Sequence, residues 1–163
     1  MARVYNRLPV LALMLCVGAG CQPWRKPATT EVHHSSQAIK VVTEFYHDLS
    51  AGHYQAATTH YRGGYTMLAG WNPDIAADNF AGLLGAACER QLICLPVAHV
   101  QVVEQPSTEP LTVSVQFRER DGTLLERTGC CGEDEAEART QFECRVWFEA
   151  SSITHDCLPV YIP

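Results

Sequence analysis

The sequence predicts an α+β domain in which N-terminal helices pack on a curved antiparallel sheet. Two observations carry this. Apolar residues recur with helical spacing from Ile39 to about Cys88, and from Leu95 the period changes to two. Helices and strands are thus segregated along the chain, which argues against alternating βαβ units.

Ahead of that domain the chain opens MARVYNRLPVLALMLCVGAGC. Arg3 and Arg7 make a positive start, and Leu8 to Ala19 form an apolar run broken by Pro9 and Gly18. Gln22 and Pro23 close it off. This is the three-part pattern of a secretory signal. The run is short of the roughly 20 residues a retained spanning helix needs, and no later apolar stretch reaches that length. It ends Gly18-Ala19-Gly20-Cys21, which resembles a bacterial lipoprotein signal, with Gly18 where that pattern prefers Leu. The resemblance implies cleavage after Gly20, a diacylglyceryl thioether on Cys21 and an acylated new N-terminus. Several acyl chains make firm attachment. Residues 1–20 are then a signal peptide. Residues 21–35, with two prolines and runs of Thr, His and Ser, read as a flexible tether, and 36–163 as the domain.

Within the domain, Ser36 is placed to cap a first helix presenting Ile39, Val42, Phe45, Tyr46 and Leu49, and Gly52 ends it. A second helix is expected from about His53 to Tyr61, stopped by Gly63-Gly64. Tyr65 to Asn72 is ambiguous. A third helix is expected from Pro73, which suits a helix start, to about Cys88. Strands follow at Val97 to Glu104 and Leu111 to Arg118, then a turn at Asp121-Gly122 and a returning strand from Thr123 to Thr128. Further strands are expected at Gln141 to Glu149 and around Thr154 to Ile162.

Without Arg3 and Arg7 the formal charge is 10 minus 18, or −8. The remaining arginines are scattered, so nucleic acid binding lacks electrostatic support, and the net charge gives no attraction to anionic headgroups. The acidic cluster Glu133-Asp134-Glu135 and Glu137 reads as a solvated hairpin tip. It lacks the spaced oxygen ligands and turn glycine of an EF-hand loop. Cys16 leaves with the signal, and lipid on Cys21 leaves six cysteines, all able to pair in an oxidising compartment. Cys88 and Cys94 are placed to close a small loop; Cys130 and Cys131, with Cys144 and Cys157, are placed to tie the strands to the chain end. Neighbouring Cys130 and Cys131 are expected to take separate partners. Sequence alone does not choose the connectivity.

The segment AIKVVTEFYHDLSAGHYQAATTHY, Ala38 to Tyr61, resembles the opening of the NTF2-like (cystatin-like, cone-shaped) superfamily. The carriers are the Phe-Tyr and Leu pair, the turn at Ala51-Gly52 and the paired alanines of the second helix. TVSVQFRERDGTLLERT and TQFECRVWFEA are similar to its sheet strands. The resemblance implies a cone open between helices and sheet, in a superfamily of isomerases, dehydratases, binders and scaffolds. Fold alone does not choose among them.

In such a cone the candidate ligand-binding residues are Tyr46, Tyr61, Tyr65, Trp71, Phe117 and Trp147, although aromatics also serve as core. Trp147 faces the other side of its strand from Phe142 and Phe148, so a partner or homodimer contact competes with a pocket role there. His47, His53 and His60 are the acid–base candidates, and none has metal-ligand spacing. No cofactor motif is present. The expectation is a non-catalytic envelope lipoprotein, facing the periplasm or exterior. It binds a protein partner or a small hydrophobic ligand. A cone enzyme using His47 or His60, or a purely structural module, are the alternatives.

Overall fold

A computed structural model describes residues 29–104, 110–127 and 138–161. The elements are α1 (Thr29–Ala51), α2 (Tyr54–Ala57), α3 (Tyr65–Trp71), α4 (Phe80–Arg90), β1 (Leu92–Ile93), β2 (Val97–Glu104), β3 (Leu111–Phe117), β4 (Phe142–Phe148), β5 (Ile153–His155) and β6 (Val160–Tyr161). The α+β class therefore holds. Strands β2-β3-β4-β5 form one antiparallel sheet in chain order, and β1 pairs with β6 in a second.

The long helix begins at Thr29, inside the stretch expected as tether, and not at Ser36. Ala38, Val42, Phe45 and Leu49 recur at intervals of three and four and are buried, so one stripe faces the sheet. The helix stops in a Schellman motif. Gly52 takes φ +78°, His53 N–H donates to the Asp48 carbonyl at 2.8 Å and Gly52 N–H to Leu49 at 3.1 Å. The expected second helix shrinks to Tyr54–Ala57, because Tyr61 pairs instead with His155 as an isolated parallel bridge. The helix expected from Pro73 starts at Phe80. Asn79 supplies the cap, its side chain accepting from Gly82 N–H at 3.0 Å.

The inner face of the sheet carries Leu111, Val113, Val115, Phe117, Cys144 and Val146 against α1, and all are buried. Thr112, Ser114, Glu143, Arg145 and Trp147 alternate onto the outer face. After Phe117 the expected returning strand reduces to isolated bridges, Arg118 with Leu124 and Arg127 with Arg139. The expected last strand divides into β5 and β6, with Asp156 to Pro159 between them.

The NTF2-like reading is overturned here. The sheet is open, with β2 and β5 as its edges, and is neither closed nor strongly curled as a cone requires. Between β3 and β4 the described residues form isolated bridges and no further strand. The space a cone would leave open is filled: Tyr46 of α1 stands edge-on to Phe117, ring centroids 4.9 Å apart.

Candidate functional site

Four of the six expected ligand-binding aromatics belong to one chain of rings that runs from the buried core out to exposed Phe80. From Phe117 it passes to Tyr46, Phe45 at 5.1 Å, Tyr61 at 5.4 Å, Tyr65 at 5.0 Å and Phe80 at 4.2 Å. Phe117 is 0% and Tyr46 2% exposed. The Tyr46 hydroxyl donates to the Leu158 carbonyl at 3.2 Å. Burial, then Tyr61 and Asp156, pushes its pKa far above the ordinary phenol value. Burial likewise raises Tyr61, aided by Tyr65 and Asp156, and pushes Tyr65 up to about 12. Neither the Tyr61 nor the Tyr65 hydroxyl has a hydrogen-bond partner among the described residues. Trp71 ends α3, partly buried against the core. Trp147 lies on the outer sheet face, with the guanidinium groups of Arg62 and Arg145 at 4.3 and 5.3 Å from its ring. None of the six lines either of the clefts described next.

One cleft, about 330 Å³, lies between the C-terminal half of α1 and the residues around α2. Glu44, His47, Asp48, Thr59 and His60 give it polar walls, with Phe45, Ala56 and Ala57 as the apolar part. The Asp48 carboxylate is 3.6 Å from His47 Nδ1 and 3.5 Å from His53 Nδ1. His60 Nδ1 sits 2.8 Å from the Ile153 carbonyl. A carbonyl only accepts, so Nδ1 donates a proton to it. His53 and His60, both within the expected second helix, are not on one helix: α2 runs only from Tyr54 to Ala57. Among the described residues no group of three or more His, Cys, Asp and Glu is placed to hold a metal ion.

A second cleft, about 450 Å³, is lined by Thr112, Glu143, Cys144, Arg145, Asp156 and Leu158. Arg145 and Asp156 are locked together across it. Nε and Nη2 donate to Oδ2 at 2.9 and 2.7 Å, and Arg145 N–H donates to Oδ1 at 2.7 Å. Both clefts are open and polar. They suit the hydrogen bonding of a partner's side chains better than water-excluded acid–base chemistry.

Two bridges are formed, Cys88–Cys94 and Cys144–Cys157. The first closes the small loop after α4. The second corrects the expectation that Cys144 and Cys157 join Cys130 and Cys131. Those two cysteines, like Cys21 and the acidic cluster, lie outside the described residues.

His155, in a strand segment and given little weight from sequence beside His47, His53 and His60, is entirely buried with neither ring nitrogen hydrogen-bonded among the described residues. Its signal was present: Ile153, His155 and Cys157 share one parity along an extended segment, and Cys157 is buried. No helix among the described residues is long and apolar enough to cross a membrane. The chain matches no family model, no curated protein and no solved structure.

Proposed function

We propose that this chain is a lipid-anchored lipoprotein of a bacterial envelope, with a non-catalytic domain that faces the periplasm or exterior and binds a protein partner. The anchor rests on the residues from Arg3 to Cys21 and on two disulfides that suit an oxidising compartment. One observation moves the reading from a small hydrophobic ligand to a protein: Tyr46 and Phe117 pack together in the interior, and the two clefts described above are polar and open. The same openness weighs against an enzyme at His47 or His60, since nothing there excludes water.

The test is expression of the full chain in a bacterial host, followed by detergent phase partition and mass spectrometry of the mature N-terminus. The expected product starts at Cys21, carries acyl chains and partitions into detergent. Cys21→Ser moves it to the aqueous phase. A wild-type product without acyl mass, or one cleaved elsewhere, would overturn the anchor. A small hydrophobic molecule retained in the native mass spectrum would overturn the choice of a protein partner.

A further inference from the structure

The cleft between the C-terminal half of α1 and the residues around α2 is chemically one-sided. Its polar walls are Glu44, His47, Asp48, Thr59 and His60, and no Lys or Arg lines it. Carboxylate, hydroxyl and neutral imidazole groups all accept hydrogen bonds. At about 330 Å³ the cleft is at the small end of ligand sites, with room for one long side chain rather than a folded segment.

Asp48 is the carboxylate that its neighbours leave short of donors. Its side chain is only 25% exposed, and the imidazoles of His47 and His53 stand beside it with Nδ1 at 3.6 and 3.5 Å. Both distances exceed the roughly 2.7–2.9 Å of a hydrogen bond from a cationic nitrogen to a carboxylate. The described ion pairs of arginine lie elsewhere: Arg62 with Glu149, Arg90 with Asp74 and Arg145 with Asp156. Glu44 and Asp48 are four residues apart on α1, so like charges share one helix face and repel. Lys40 offsets Glu44 weakly, since the two are 3.8 Å apart and both exposed. A cation held between the two carboxylates turns that repulsion into attraction.

Resting on the partner-binding reading above, we propose that this cleft receives an arginine side chain from a cationic segment of the protein partner. Charge complementarity names the occupant. From Thr29 onward the chain has 8 Lys and Arg against 18 Asp and Glu, or −10, so a basic partner is steered towards it. An anion is repelled by both carboxylates, and an apolar group leaves the acceptors unmet. A guanidinium suits these walls better than an ammonium. Its planar fork carries five N–H donors, enough to engage one carboxylate with two and neighbouring acceptors with others. Ala56 and Ala57 supply apolar surface for its methylene stem.

The test uses the full-length lipidated protein in detergent micelles at about pH 8, where an ordinary imidazole is neutral. Its histidines carry carbon-13 at Cε1 for NMR. The probe is a blocked Gly-Arg-Gly peptide. A citrulline counterpart keeps the shape without the charge, and a lysine counterpart keeps the charge without the fork. The arginine peptide is expected to shift the His47 and His60 signals saturably and to leave that of His99, exposed on β2, in place. The citrulline peptide is expected to give no saturable shift, and the lysine peptide to bind about twofold or more weakly. Asp48→Asn is expected to weaken arginine binding about fivefold or more. Asp78→Asn, which removes the same charge at an exposed position outside the cleft, should leave it within about twofold. An unchanged His99 signal reports that each variant is folded.

Equal losses in Asp48→Asn and Asp78→Asn, equal shifts by the arginine and citrulline peptides, or shifts no larger at His47 and His60 than at His99 overturn this proposal alone. Equal binding of the lysine peptide overturns the choice of arginine. Tighter binding of free arginine than of the blocked peptide makes the occupant an amino acid and overturns the protein segment. A small hydrophobic molecule retained in the native mass spectrum overturns the partner reading and this proposal with it.

Discussion

The imidazole of His155 stands edge-on to Phe45, ring centroids 4.5 Å apart at 65°. Its backbone is fixed on both sides, N–H donating to His60 at 3.0 Å and carbonyl accepting from Arg62 at 2.9 Å. The ring is held in an apolar site that cannot hydrate a charge. Burial, then the neighbouring His60, lowers its pKa from 6.5 to about 3, with Asp156 opposing. The folded state therefore takes up its proton later than the unfolded chain. The neutral ring is compatible with full stability above about pH 6.5, and stability falls as pH drops from there towards 3. The slope from this group approaches about 1.4 kcal/mol per pH unit. His155→Phe, which keeps an aromatic ring and removes both unpartnered nitrogens, is expected to flatten that acid limb in urea unfolding between pH 7 and 4. An unchanged limb would show that His155 is not its source.

The Gly63-Gly64 pair does more than turn the chain. Gly64 has φ +51°, and a Cβ there would lie 2.7 Å from the Tyr61 hydroxyl oxygen. Gly64→Ala thus combines backbone strain with a clash against a buried ring, and a loss of about 1–3 kcal/mol is expected. Gly70 is the internal control: it lies in α3, and a Cβ there meets nothing within 4 Å. Gly70→Ala is expected to stabilise by about 0.5–1 kcal/mol through helix propensity. Thermal unfolding of the two variants checks both signs, and the same sign for both would sink the account.

The disulfides differ in the length of chain they close, with sequence separations of 6 for Cys88–Cys94 and 13 for Cys144–Cys157. On the loop-entropy account, removing the pair Cys144 and Cys157 costs about 3 kcal/mol and removing Cys88 and Cys94 slightly less. Packing widens the gap, because Cys157 is 0% exposed within the core. Double alanine variants should rank in that order by denaturant midpoint. A non-reducing digest should yield the two linked peptides, and a link from Cys130 or Cys131 to Cys144 or Cys157 would refute the pairing.

How much of this was legible depended on the range of the interactions. Alternation in Val97 to Glu104 and Leu111 to Phe117 gave the strands, since period two follows from the pleat alone. The apolar stripe of α1 was equally plain. The curvature of the sheet was not legible, because it depends on how many strands extend it and on what fills the inner face. Tyr46 and Phe117 were identified as neighbours of one interior, yet aromatic identity does not tell a lined cavity from a packed one. The start at Phe80 was missed because Pro73 and Asp74 look like a helix beginning. Asp74 is instead engaged by Arg90 at 3.2 Å, whose guanidinium, through hydrogen bonding and then charge, lowers the Asp74 pKa. The Asp48 cleft was hidden because His53 meets its carboxylate only once the chain turns at Gly52.

Asp156 offers a way to separate charge from hydrogen bonding at one position. It accepts two bonds from the Arg145 guanidinium and one from the Arg145 backbone N–H, at 2.9, 2.7 and 2.7 Å. Arg145 is 61% exposed and Asp156 22%, so the ionic part is screened by solvent and contributes little. The backbone bond holds the segment after β5 against β4, and losing its acceptor leaves a strand N–H without a partner. Asp156→Asn keeps an oxygen for that N–H and is expected to cost below about 1 kcal/mol, whereas Asp156→Ala costs about 2 kcal/mol. Salt distinguishes the two contributions. Raising ionic strength to 1 M should narrow the gap between wild type and Asp156→Asn, because the Debye length falls to about 3 Å. The gap between Asp156→Asn and Asp156→Ala should stay, because a hydrogen bond between the side-chain oxygen and the backbone is not screened by ions. Equal losses for the two variants at low salt would assign the stabilisation to the ion pair instead.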